Sequence, residues 1–83
     1  KKEDVIICIS TSGESRNIIN AINKANLLNL EVICLLGKSG GSCGEICENK
    51  IIIESNTTAI IQELHILIGH LIIDTVEKKL GIN

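Results

Sequence analysis

Val5-Ile6-Ile7-Cys8-Ile9-Ser10-Thr11-Ser12-Gly13-Glu14-Ser15 is the stretch that decides the fold. Five apolar residues in a row read as a strand buried on both faces, the habit of parallel sheets. The hydroxyl residues and Gly13 break it, and Ile18, Ile19, Ile22 and Ala25 then recur at helical spacing. A strand running through a short loop into a helix is the first half of a parallel crossover.

The pattern repeats outward from there. A helix is expected over about residues 15–28, closed by Asn29 in the left-handed conformation that Asn tolerates. Residues 31–36 form a second buried strand, followed by a Gly/Ser loop and one or two helical turns over residues 42–48. Residues 50–54 read as a third strand. One long helix then runs over residues 57–80, with Ser55 or Asn56 as N-cap and Gly81 as its stop. The fold class is therefore α/β, a parallel sheet with right-handed crossovers, three strands and three to four helices. Sheets average about five strands, so this is part of a domain.

At 83 residues the chain holds one small domain at most. It is 45% hydrophobic yet has no aromatic residue, Met or Pro, so Ile, Leu, Val and Ala must fill the core. The last helix is apolar over most of its circumference, from Ile60 and Ile61 through Leu71 to Val76. Three strands cannot cover such a helix, which places it at a subunit interface. Lys1 in the place of an initiator Met fits a chain cut from a longer one.

Net charge is −2, without a basic run, which disfavours nucleic-acid binding by phosphate neutralisation. No apolar stretch is judged to approach the roughly 20 residues that span a bilayer, so no membrane segment is expected. Of the four cysteines, Cys8 and Cys34 sit in apolar runs, and Cys43 and Cys47 lie four apart, unlike a zinc knuckle. All four read as reduced structural thiols of a cytoplasmic protein.

In parallel sheets, ligands bind at the carboxyl ends of strands, near helix N-termini. Ser10, Thr11, Ser12 and Ser15 gather there, with main-chain amides and a glycine turn, as an anion cradle that needs no cation. A lone Ser would be an ordinary cap; four hydroxyls in six residues favour phosphate. Gly37-Lys38-Ser39 is not a phosphate-binding P-loop, because Val32 stands where that motif needs Gly. On the last helix, Gln62 and His70 lie about 80° apart on one side and about 12 Å apart along the axis, whereas His65 points away from His70. Residues so spaced reach one atom only from different subunits. A His on an apolar helix is more commonly a packed residue than a catalyst, and spacing alone leaves His70 open.

Ile9-Ser10-Thr11-Ser12-Gly13-Glu14-Ser15, Leu36-Gly37-Lys38-Ser39-Gly40-Gly41 and Ile61-Gln62-Glu63-Leu64-His65 through Gly69-His70 resemble the phosphoheptose isomerase group of the SIS (sugar isomerase) superfamily. The match runs in order through the whole chain and corresponds to the C-terminal half of one SIS domain. The resemblance implies a flavodoxin-like fold and a homotetramer with active sites between subunits. It implies that Ser10, Thr11, Ser12 and Ser15 bind phosphate, and that Gln62 contacts the substrate or a zinc ion. His70 would be the acid/base residue and a zinc ligand. The implied reaction interconverts sedoheptulose 7-phosphate and manno-heptose 7-phosphate through an enediol, for lipopolysaccharide, capsule or S-layer heptose. The rival is a non-catalytic SIS module that binds a sugar phosphate or a replication initiator; such relatives tend to lack the His and to alter the Ser-Thr-Ser loop. Thr57 and Ile60 stand where many members carry Asp and Arg, which removes a substrate contact or changes the heptose handled.

Overall fold

In the computed structural model, which describes residues 4–81, three strands lie side by side in chain order. These are β1 (Val5–Ser10), β2 (Glu31–Gly37) and β3 (Asn49–Ile53), all parallel. Between and after them come α1 (Arg16–Leu27), α2 (Gly41–Ile46) and α3 (Thr58–Leu80). The register sets Cys8 beside Cys34 and Ser10 beside Leu36, so β1 and β2 end together.

α1 and α2 cover one face of the sheet. The core there joins Cys8, Val32, Cys34 and Leu36 from the strands to Ile22 and Ala25 from α1, with Cys43 and Cys47 at α2. Residues two apart on a strand share a face, so Leu35 points the opposite way, toward the side where Ile61 of α3 is also fully buried. Lys50 closes the α1/α2 side: its Nζ donates to the carbonyls of Gly44 (2.8 Å) and Cys47 (3.2 Å), which α2 leaves open at its end.

Several expectations need correction. β1 is buried on one face only; Val5 (53% exposed) and Ile9 (51%) lie open, because α3 packs mainly against β2. The cap of α3 is Thr57, not Ser55 or Asn56; the Ser55 hydroxyl instead accepts the Thr57 N–H at 3.1 Å. α3 buries only Ile61 and His65, and Ile66 (58%) and Leu71 (57%) are exposed. Nor was the reading of apolar stretches right: α3, with 23 residues, is long and apolar enough to cross a membrane by length and composition. Polar residues at 62, 63, 65 and 70 interrupt it in sequence but are too few to lower its average. Asn29 does take the left-handed turn, with φ 58°.

All four cysteines are buried and unpaired. Burial pushes the Cys34 thiol far above its ordinary 9.0, and the adjacent Cys47 adds to the shift. Burial likewise raises Cys8 and Cys43, with help from Cys47 and Glu14 respectively. Cys8, Cys34 and Cys43 thus hold their protons to higher pH in the fold than in the unfolded chain, where a thiol ionises at about 8.5. Their contribution to stability is therefore complete below that pH and lost as pH rises above it. Native protein should leave these four cysteines unalkylated by iodoacetamide at pH 8, as read by mass spectrometry, whereas unfolded protein should react at all of them. The urea midpoint should fall between pH 8 and 10.

Candidate active site

The loop after β1 is shaped by its own side chains. Ser10 Oγ accepts the Gly13 N–H at 3.0 Å, and Ser12 Oγ accepts the Glu14 N–H at 3.1 Å. Two of the amides expected to be free for an anion are thus occupied. What the loop offers instead is its hydroxyl protons and the first-turn amides of α1, whose N-cap Ser15 makes no side-chain cap bond.

The loop is also held from behind. Gly13 has φ +72°, and a Cβ there would run into the carbonyl of Gly40. The Gly13 carbonyl accepts the Cys43 N–H at 2.8 Å. Glu14 turns from the loop to α2, where Oε2 accepts the Ser42 N–H (3.0 Å) and Oε1 the Ser42 hydroxyl (2.7 Å). Its negative charge is spent on the start of α2, outside the cleft in front of the loop. Gly37-Lys38-Ser39 is turn structure, as expected: Gly40 N–H donates back to the Gly37 carbonyl at 2.9 Å.

That cleft has a volume of about 710 Å³. Ser10, Thr11, Ser12 and Ser15 line one side, and Gln62 and His70 line the other, so every residue expected at the site borders one space. From α3 the wall also takes His65, Ile66, Gly69 and Ile73. Spacings of three and four make these a single helical stripe. Gln62 and His70 share the wall within one chain, although their separation along the helix keeps them from converging on one atom. Gln62 and His70 are exposed; Ser10 is buried. Thr57 and Ile60 do not line the cleft.

His65 was passed over in the sequence because it points away from His70. In the fold it is 2% exposed, and its Nε2 lies 2.8 Å from the Leu36 carbonyl oxygen. A carbonyl only accepts, so Nε2 carries the hydrogen; Nδ1 is buried without a partner among the described residues. Its position three residues after Gln62 was the signal available, since that spacing puts both on one side of the helix.

The residues present do not make a metal centre on their own. Gln62 and His70 supply two donors where catalytic zinc takes three from protein. Among the described residues no three His, Cys, Asp or Glu converge to hold an ion.

Comparison with known proteins places this geometry. The SIS domain family model matches residues 1–68. The phosphoheptose isomerase of Clostridium acetobutylicum is 46% identical over 80 residues, which is 96% of this chain and 41% of that protein. The solved phosphoheptose isomerase of Neisseria gonorrhoeae superposes with TM-score 0.85 at 37% identity, over 88% of this chain and 42% of its own. That of Francisella tularensis gives 0.86 at 35%, over 92% and 43%. The chain thus spans about two fifths of the length of the relatives it matches.

Gly13→Ala combines a strained positive φ with a collision against Gly40, so the loop must shift. Inorganic phosphate binding to the full-length protein, measured by calorimetry, should weaken by about tenfold or more, the equivalent of one lost hydrogen bond to a charged group. Glu14→Ala should weaken it by a few-fold, and Glu14→Gln, which keeps one acceptor, by less.

Proposed function

The chain belongs to the SIS domain family, and from that premise we propose that the protein containing it is an aldose–ketose isomerase acting on a phosphorylated sugar. Sedoheptulose 7-phosphate and manno-heptose 7-phosphate are the proposed pair, by similarity to proteins named phosphoheptose isomerase. One observation carries the reading: a single cleft at the carboxyl edge of a parallel sheet sets a hydroxyl-rich loop opposite an exposed histidine.

In this reading the phosphate ester accepts hydrogen bonds from Ser10, Thr11, Ser12 and Ser15, and from the first turn of α1. The sugar then extends along the stripe on α3, where Gln62 meets its hydroxyls. Isomerisation removes a proton from C1 of the ketose, forms the enediol and returns a proton at C2, while the hydroxyl proton passes from O1 to O2. An imidazole near neutral pH can carry protons in both directions, and His70 has that role. A second acid/base group comes from the part of the protein outside this chain. So do the further ligands any zinc ion would need beside Gln62 and His70.

We assign the chain to the C-terminal half of one SIS domain in a cytoplasmic homotetramer with active sites between subunits. The open apolar side of α3 supports burial against further protein. A non-catalytic SIS module is the alternative outcome of the same test.

Full-length protein should convert sedoheptulose 7-phosphate to the aldose. His70→Ala should lower kcat by about 10²- to 10⁴-fold, the usual range for a lost acid/base group, while phosphate affinity holds. Wild-type protein that binds the sugar phosphate without turnover would instead be a binding module, and unchanged turnover in His70→Ala would remove that residue from the chemistry.

A further inference from the structure

We infer that His65 is a positioning residue: the hydrogen bond from its Nε2 to the Leu36 carbonyl sets the height and rotation of α3, and so the placement of Gln62 and His70 over the phosphate loop. This rests on reading the cleft as the isomerase site.

Little of α3 grips the sheet. Of its 23 residues, Ile61 and His65 are the buried ones, one turn apart. Both attach to consecutive residues of β2. A Cβ on Gly37 would lie 2.6 Å from the Ile61 methyl carbons, so Ile61 packs against bare glycine backbone. Leu36, one residue earlier, receives the His65 hydrogen bond at 2.8 Å. Apolar packing has no preferred direction and tolerates sliding; a hydrogen bond weakens steeply when misaligned. Ile61 therefore holds α3 down, and His65 fixes where along and around its axis it sits.

The same two residues of β2 also fix the loop. Leu36 pairs in register with Ser10, and the Gly37 α-carbon faces the Thr11 carbonyl so closely that a Cβ would strike it. Leu36-Gly37 is thus a shared platform for both walls of the cleft. A small slip of α3 on that platform moves Gln62, three residues before His65, and His70, five after, while the loop stays put. The unpartnered Nδ1 fits this role. A buried polar atom left unsatisfied costs free energy, which an apolar residue would avoid, so the ring is kept for what Nε2 does.

The test uses full-length protein with His65→Met, which keeps bulk but loses the donor, and His65→Gln, whose amide N–H reaches a similar point. Expected for His65→Met is a kcat about 10- to 100-fold lower, the scale of a small misplacement of catalytic groups, with inorganic phosphate affinity within about twofold of wild type. His65→Gln should recover most of the loss. Independently of activity, ring 15N NMR of wild type should report the Nε2–H tautomer of His65. The His70 ring signals should move in His65→Met and return in His65→Gln, with Ser10–Ser15 unchanged. Full kcat in His65→Met overturns the inference. So does a parallel loss of phosphate binding without rescue by Gln, which marks a general packing role. If His65→Met does not fold, the tautomer and His65→Gln decide, and an Nδ1–H tautomer or an inactive His65→Gln counts against it. Wild type that lacks isomerase activity but shows these NMR responses would refute the isomerase reading and leave the positioning role standing.

Discussion

Backbone meets backbone at the carboxyl edge of this sheet, and everything functional is arranged around that contact. Gly13 of the first crossover loop lies against Gly40 of the second, and Gly37 at the end of β2 lies against the Thr11 carbonyl. A side chain at Gly13 or Gly37 would hold the loops apart and lift α3 from the sheet. Close approach lets the Cys43 amide reach the Gly13 carbonyl and lets Glu14 span to Ser42. The hydroxyl loop is thereby held in shape by the protein itself, and a preshaped loop lowers the ordering cost of binding a ligand.

Among the described residues neither Lys nor Arg lines the cleft, so an anion held there in the proposed reading would be held without cationic side chains. Its donors are hydroxyls and the first turn of α1, supported by the partial positive charge of a helix start. The Glu14 carboxylate, on the same loop, is drawn off by Ser42 and does not line the cleft. Behind the loop the core is filled by aliphatics and four buried thiols, small groups that pack between the helices and the strands.

The far side of the molecule is the complement of this closed edge. Val5 on β1 and, on α3, Leu67 and Leu71 remain open. Exposed apolar surface of this kind is typical of interaction faces. It accords with a chain that spans about two fifths of its SIS relatives' length.

Much of the architecture was legible in the residues. Unbroken apolar runs at 5–9 and 32–36 marked parallel strands, helical spacing marked α1 and α3, Asn29 and Gly81 marked their ends, and Ser10 to Ser15 marked the hydroxyl-rich loop after β1. These features depend on periodicity and local sterics, which neighbouring residues determine. The partners of individual polar groups were not legible. That Gly13 and Glu14 amides bond to Ser10 and Ser12, that Glu14 serves α2, and that His65 reaches the Leu36 carbonyl depend on which backbones lie within about 3 Å. Such distances arise only once loops and helices far apart in sequence are packed together. The one-sided burial of β1 belongs to the same class, because a run of apolar residues states what a strand can bury and not what covers it. Sequence alone thus determined the elements, their order and the chemistry of the loop. Tertiary packing decided the pairing of polar groups and the exposure of each face, because directional bonds and coverage are properties of assembled surfaces.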